Sequence, residues 1–223
     1  MTENEQNEVD LERRPIIKVI LLGNTNTGKT SLINAYEGKD FIETTLSTFG
    51  SQFIKKCLKI NEKNYNVQVW DTAGQEQFRS VNKIYIKGSH VVLFIYDITN
   101  KKSFDDLGEF WVDYVNKILG QGITKGLIGN KIDLMDSQTN KDDAEEFAEK
   151  IGAFFSETSA KEHPQGIIDF IDKCVKDYVS KHEEELEESI QESFSLINPK
   201  KKKKKNKKDK GKHKDDDMCC LIF

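Results

Sequence analysis

The sequence predicts an α/β domain built on a mainly parallel sheet, and three observations carry that prediction. Short apolar runs recur between longer segments whose apolar residues fall every three or four positions, the alternation of buried strand and amphipathic helix. One pair of runs, Phe49–Ile60 and Tyr65–Trp70, alternates apolar with polar residues around Asn61-Glu62-Lys63-Asn64 and reads as an antiparallel hairpin at a sheet edge. A turn bounded by Gly23 and Gly28 joins the first apolar run to the first helix.

Taken in order, Ile16–Leu22 reads as a buried first strand and Lys29–Glu37 as the first helix. The hairpin follows. Val91–Tyr96 is wholly apolar, as suits a central strand covered on both faces. Ser103 with Asp105-Asp106 opens a helix, and Phe110, Tyr114 and Ile118 give it a four-residue stripe. Gly126–Gly129 is a further strand, Asp142–Ile151 an amphipathic helix and Ala153–Ser156 the sixth strand. Ile167–Val179 closes the domain as a helix with Ile168, Ile171, Val175 and Val179 inward. From His182 to Ser193 the chain is Glu-rich, with only Leu186 and Ile190 apolar, and is expected to fray or stay solvated. The resulting division is an acidic, disordered N-terminus (1–14), one domain (15–180), an acidic helical extension (181–197) and a disordered polybasic tail (198–223).

Composition agrees. The 223 residues suit one α/β domain of ordinary size with extensions. No apolar stretch approaches the ~20 residues of a membrane-spanning helix, and the first residues are polar and acidic, unlike a secretory signal. The net charge of −4 conceals a split: residues 200–217 hold eleven lysines and four aspartates, a local +7, so the rest carries −11. An acidic body would be repelled by nucleic-acid phosphates, which excludes a nucleic-acid-binding domain. Four cysteines do not make a disulfide framework in a domain this large; Cys57 and Cys174 read as inert thiols. His90 reads as structural, Trp70 as core and partner surface, and Asp97, Thr99 and Asn100 as a strand end.

Gly23-Asn24-Thr25-Asn26-Thr27-Gly28-Lys29-Thr30 matches G-x-x-x-x-G-K-[ST], a loop whose N–H groups curl around phosphate oxygens at the start of a helix. Gly23, Asn26, Thr27, Gly28 and Ser31 are its candidate contacts. Lys29 can reach the outer phosphates, and the Thr30 hydroxyl is a hard oxygen ligand suited to Mg²⁺. Three later segments name the base: Asp71-Thr72-Ala73-Gly74-Gln75, Asn130-Lys131-Ile132-Asp133 and Ser159-Ala160-Lys161. Guanine offers two adjacent donors, N1–H and the exocyclic amine. The Asp133 carboxylate can accept both, whereas adenine would leave it unpaired. Asn130 can tie the base loop to the phosphate loop, the Lys131 stem can lie along the ring, and the Ala160 N–H can meet O6.

Together these segments resemble the Ras superfamily of small GTPases over roughly residues 15–180, and within it the Rab family. Trp70-Asp71-Thr72-Ala73-Gly74-Gln75-Glu76-Gln77-Phe78-Arg79-Ser80 is similar to the Rab second switch and Tyr96-Asp97-Ile98-Thr99 to the next strand end. Tyr85-Ile86-Lys87-Gly88-Ser89 is a looser match. Thr48-Phe49-Gly50-Ser51-Gln52-Phe53 resembles the first switch but departs from isoleucine-glycine-valine-aspartate-phenylalanine, on the surface that reads effectors. The resemblance implies a P-loop small GTPase domain: six strands, mostly parallel with one antiparallel edge strand, flanked by five helices. It implies GTP or GDP as bound nucleotide, with Mg²⁺ held by Thr30 and Thr48 directly and by Asp71 through a water. Gly74 would approach the γ-phosphate and Gln75 would orient the attacking water. Phe41 matches the family aromatic that packs on the base, core packing being its alternative. No arginine lies between Phe41 and Phe53, so intrinsic hydrolysis should run at about 10⁻⁴ to 10⁻³ per second, by analogy with Ras, until a partner supplies charge.

Cys220-Leu221-Ile222-Phe223 fits C-a-a-X with a final residue that favours geranylgeranyl, and Cys219-Cys220 resembles the double-cysteine ending of many Rab proteins. One lipid anchors marginally; a second lipid or the lysines would complete the attachment. For the lysine run alone, a nuclear-targeting patch or plain solvated disorder are the alternatives. The implied partners are a guanine nucleotide exchange factor, a GTPase-activating protein, a GDP-dissociation inhibitor or prenyl-binding chaperone, and GTP-dependent effectors. The implied place is the cytoplasmic face of an intracellular or plasma membrane, exchanging with cytosol. Two readings stay open: a GTPase timer in vesicle traffic, favoured by Gly74 and Gln75, and a GTP-dependent binding module with negligible turnover, for which Asn24-Thr25-Asn26 would crowd the γ-phosphate. A P-loop kinase or ATPase would need an acceptor-substrate lid, for which no segment is found.

Overall fold

The computed structural model describes residues 14–43, 51–72 and 79–188. Six strands, β1 Ile16–Leu22, β2 Ser51–Ile60, β3 Lys63–Thr72, β4 Val91–Asp97, β5 Thr124–Asn130 and β6 Ala153–Glu157, form one sheet in the order β2-β3-β1-β4-β5-β6. Only β2 and β3 pair antiparallel; every other pair is parallel. The helices are α1 Lys29–Glu37, α2 Arg79–Ile86, α4 Lys141–Ile151, α5 Pro164–Lys181 and, between β4 and β5, a composite α3. Helix α3 consists of an α segment Lys101–Asp106, a π-helical turn Leu107–Trp111 and a second α segment Val112–Leu119. Counted so, five helices flank the sheet among the described residues, as expected.

Side chains alternate along β1 and feed two cores. Ile17, Val19 and Leu21 meet Leu32 and Tyr36 of α1 and Ile171 and Val175 of α5. Ile20 and Leu22 meet Phe94 and Tyr96 of β4, Leu107, Trp111 and Val115 of α3, and Ala144 and Ala148 of α4. Burial on both faces is why β1 and β4 read as nearly unbroken apolar runs.

Several details differ from the sequence reading, each for a physical reason. The hairpin is tighter: Asn61 and Glu62 form its two-residue loop at positive φ (47° and 63°), and Ile60 already pairs with Lys63. Such a loop matches the twist of the flanking strands. The chain pattern marks four of these helices; Arg79–Ile86, whose first residues fall in the second-switch motif, is the fifth that the resemblance implies. The inward face of α3 is Leu107, Trp111 and Val115; Phe110, Tyr114 and Ile118 sit half-buried at its rim, the first two rings stacked at 5.1 Å. On α5 the buried set is Ile167, Phe170, Ile171, Cys174, Val175, Tyr178 and Val179, with Ile168 only partly covered. Beyond α5 the extension does not simply hang in solvent. Residues 183–188 are helical, Leu186 packs on the first core, and Lys63 of the hairpin pairs with Glu183 at 2.8 Å and also with Glu187.

Cys57 is exposed on β2 and accepts from the Arg14 guanidinium at 3.0 Å. Cys174 is buried, and desolvation pushes its thiol up to about 12, consistent with an inert thiol. His90 Nδ1 accepts the Lys18 main-chain N–H at 2.9 Å and its ring leans on Tyr178, a structural role as expected. No helix among the described residues is long and apolar enough to cross a membrane.

Ile171 lies on α5 away from the loops that follow the strands. Ile171→Ala should therefore lower stability by about 2–5 kcal/mol, seen as a lower urea midpoint with an unchanged slope. A midpoint equal to the parent's would contradict this packing.

Candidate functional site

The loops after β1, β3, β5 and β6 meet at one end of the sheet, and the candidate residues gather there. After β1 the chain turns at Gly23 (φ 151°), where an added Cβ would lie 2.1 Å from the Ile95 carbonyl oxygen. It enters α1 at Gly28 (φ 90°), where a Cβ would lie 2.2 Å from Asn130 Nδ2. Neither contact admits a side chain. Between them Asn26 takes a left-handed conformation (φ 64°), which asparagine tolerates better than most residues.

This turn wraps Lys29, which is only 5% exposed. Its ammonium donates to the carbonyls of Gly23 at 3.0 Å and Asn24 at 2.7 Å. Desolvation pushes its pKa down to about 8, with the negative charge of Asp71 acting against the fall. The Thr27 hydroxyl donates to the Asn24 carbonyl at 3.0 Å. Thr30, in the first turn of α1, donates to Asp71 Oδ2 at 2.7 Å. Asp71 is buried near the end of β3, where the neighbouring Thr72 hydroxyl anchors the strand to the Leu21 carbonyl at 2.7 Å. A hydroxyl and a carboxylate meeting this closely are an all-oxygen donor set that fits Mg²⁺. Ser31 follows, half-buried in the same turn.

The second half of the site stands on β5 and β6. Asn130, 2% exposed at the end of β5, donates from Nδ2 to the Thr27 carbonyl at 2.9 Å and accepts the Ala160 N–H on Oδ1 at 3.2 Å. One amide thus joins three loops. The Ser159 hydroxyl donates to Asp133 Oδ1 at 2.6 Å and accepts the N–H groups of Lys161 and Glu162 at 3.1 and 3.0 Å. A hydroxyl has one donor and two acceptor positions, so Ser159 is fully used in orienting that carboxylate. Lys131 stands at φ 72°, and its ammonium pairs with Asp97 Oδ2 at 2.6 Å.

The structure therefore brings together Gly23, Asn26, Thr27, Gly28, Lys29, Thr30, Ser31, Asp71, Asn130, Lys131, Asp133, Ser159, Ala160 and Lys161. Phe41 is 40% exposed, so it is not a core residue. The Ala160 N–H donates to the Asn130 amide. The Asn24 side chain, expected to crowd the γ-phosphate, instead turns outward to α3, donating to Asp106 Oδ2 at 2.5 Å and accepting from Trp111 Nε1 at 3.2 Å. Asp97, read as a plain strand end, holds Lys131 with one oxygen and takes the Thr99 N–H and hydroxyl on the other. Its place after a buried strand, level with Asn130 in the β4–β5 register, was the available signal. Thr48, Gly74, Gln75, Cys219 and Cys220 lie outside the described residues.

The family model described as the Ras family matches residues 18–180. The Ras-related protein Rab-1 of Theileria annulata is 38% identical over 170 residues, covering 75% of this chain and 77% of that protein. The Ras-related protein Rab-2B of Dictyostelium discoideum is 38% identical over 161 residues, 72% of this chain and 78% of its own. The Ras-related protein RABD2a of Arabidopsis thaliana is 33% identical over 148 residues, with 66% and 72% covered.

The chain belongs to the Rab family of small GTPases. It binds GTP and GDP and is a GTP hydrolase, so a module without turnover is not its class. In this Rab the glycine-bounded turn places a buried cation at a helix N-terminus, an arrangement chemically suited to an anion.

A pH dependence follows from Lys29. Below about pH 8 the ammonium is charged before nucleotide arrives; above it, binding must take up a proton. Nucleotide affinity should fall as pH rises through 8, approaching about tenfold per pH unit. Calorimetric titration at several pH values measures this, and Lys29→Met should abolish the slope along with much of the affinity.

Proposed function

We propose that this Rab is a membrane-anchored switch that binds GTP or GDP with Mg²⁺, hydrolyses GTP slowly and recruits effectors in intracellular vesicle trafficking in its GTP form. The observation that carries the guanine assignment is the Ser159–Asp133 pair beside the Asn130 bridge. A carboxylate held in place by a buried hydroxyl presents acceptors to guanine N1–H and the exocyclic amine. Phe41 and the Lys131 stem flank the ring, while Ser159, Ala160 and Lys161 complete the base loop. The loop N–H groups from Asn26 to Ser31, with Lys29, take the phosphates, and Gly23 and Gly28 give the loop its shape.

Thr30 and Asp71, with Thr48 as a further hydroxyl, would hold Mg²⁺, which neutralises phosphate charge. In hydrolysis, a water oxygen bonds to the γ-phosphorus while the bond to the β–γ bridging oxygen breaks, giving GDP and inorganic phosphate. Gln75 orients that water and Gly74 lets the backbone approach the γ-phosphate. This chain has no arginine in its first-switch segment, so a GTPase-activating protein supplies the missing charge. An exchange factor, effectors and a GDP-dissociation inhibitor or prenyl-binding chaperone complete the cycle. Phe53, stacked at 4.6 Å on Trp70, and Tyr85, 6.1 Å from Trp70, give partners an aromatic surface. Residues 15–180 are the GTP-binding domain and 181–197 its acidic extension. Cys219 and Cys220 in the segment 198–223 carry the lipid, with the lysines as support at the cytoplasmic face of a membrane.

Asp133→Asn exchanges one acceptor for a donor, which suits xanthine with its extra carbonyl. GTP affinity should fall by orders of magnitude while xanthosine triphosphate gains; unchanged GTP binding would sink the base assignment. Gln75→Leu should bind GTP nearly as the parent does yet lose partner-stimulated phosphate release. In fractionated cells, the double variant Cys219→Ser with Cys220→Ser should move to the soluble fraction and still bind GTP. Sedimentation of that variant with membranes would refute the anchor.

A further inference from the structure

Asn24 faces two ways. Its main-chain carbonyl accepts from Lys29 Nζ at 2.7 Å and from the Thr27 hydroxyl at 3.0 Å, inside the loop. Its side chain leaves the loop for α3, where Nδ2 donates to Asp106 Oδ2 at 2.5 Å and Oδ1 accepts from Trp111 Nε1 at 3.2 Å. An indole only donates and a carboxylate only accepts, so the amide fits in one orientation alone. Both partners are themselves fixed. Asp106 is 9% exposed and its other oxygen takes Lys102 Nζ at 2.9 Å, while Trp111 is 3% exposed in the second core.

The π turn makes this grip possible. Residues five apart in an unbroken α-helix stand about 140° apart around its axis. In Leu107–Trp111 the turn is closed by the Val112 N–H donating to the Leu107 carbonyl, an i to i+5 bond. The wider turn brings positions five apart to nearly the same side. The segment after it, Val112–Leu119, also packs against α2, the helix that begins at the end of the second-switch motif.

We propose that Asn24 is a positioning residue that couples α3 to the phosphate loop. Acting through Lys29, the Asn24–Asp106–Trp111 link sets how firmly the outer phosphates are held and so how fast the nucleotide leaves. The proposal rests on Lys29 being a phosphate ligand.

The test is the release rate of a fluorescent GDP analogue from the full chain. Asn24→Ala removes both side-chain bonds and should speed release about fivefold to tenfold. Asn24→Asp sets a carboxylate against that of Asp106 and should speed it at least as much. Combining Asn24→Asp with Asp106→Asn restores both bonds, the one between positions 24 and 106 with donor and acceptor exchanged and the one from the Trp111 N–H with its direction kept, and should return release to within about threefold of the parent. In a Trp70→Phe background, Trp111 emission should shift in Asn24→Ala and recover in the combined variant, a signature that general destabilisation would not restore. Parental release rates in both single variants, or a combined variant as fast as Asn24→Asp alone, would overturn the proposal. If Asn24→Asp fails to fold, Trp111→Phe decides: it keeps the ring, loses the N–H and should speed release about threefold, and a parental rate overturns the link. A parent that retains no guanine nucleotide would instead refute the functional reading beneath it.

Discussion

A positive charge buried at the end of a sheet must be surrounded by oxygen, and much of this molecule's functional end follows from that constraint. An ammonium withdrawn from water is costly unless oxygen atoms replace its hydration. Here two main-chain carbonyls, of Gly23 and Asn24, point at Lys29, and the Asp71 carboxylate lies near enough to oppose the loss of its proton. Carbonyls converge on one point only if the backbone curls tightly. That curl needs a residue without a side chain at Gly23, where the Ile95 carbonyl presses in, and at Gly28, where Asn130 does. The burial of one charge thus dictates the shape of the loop.

The parallel topology then decides what surrounds the loop. In open α/β sheets the segments following the carboxyl ends of neighbouring strands come together. Here β1, β3, β4 and β5 lie side by side with β6 beyond, and their ends supply Gly23, Asp71, Asp97, Asn130 and Ser159. Each covers a different need. Asp71 balances charge, Asp97 fixes Lys131, Asn130 staples loops together and Ser159 aims Asp133. The buried polar groups are paired with one another, which holds the constellation in one geometry instead of leaving each member to find water.

What was legible in the sequence is what is local. The apolar runs marked every strand within a few residues, because two-sided burial leaves little room for polar residues in β1 and β4. The loop from Gly23 to Thr30 and the groups around Asn130, Asp133 and Ser159 were legible because each packs several site residues into a few consecutive positions. The Asn130 tie to the phosphate loop was also foreseen, down to the loop it joins. The contacts that escaped are between residues far apart in the chain with no motif of their own. Asn24 with Asp106 and Trp111 depends on a π turn that periodicity does not reveal, since inserting a residue shifts the stripe by one position. Phe110, Tyr114 and Ile118 share the four-residue spacing of Leu107, Trp111 and Val115, so spacing alone does not tell the rim of α3 from its core face. Lys63 with Glu183 and Glu187 joins a hairpin to an extension that composition alone assigned to solvent.

The placement of β2 at the border of the sheet has a consequence for how copies of the protein meet one another. An edge strand offers unpaired backbone groups along its outer side, a template onto which a second chain can add. This strand carries Lys55, Lys56 and Lys59. The ammonium of Lys55 lies 5.8 Å from the centre of the Phe53 ring and that of Lys56 lies 4.2 Å from that of Tyr36. An approaching β2 from another molecule would bring like charges together along the same line, and the rings help to hold two of them there. The lysines of β2 thus oppose the addition of a second copy along this edge, beside an aromatic surface in which Phe53 is exposed.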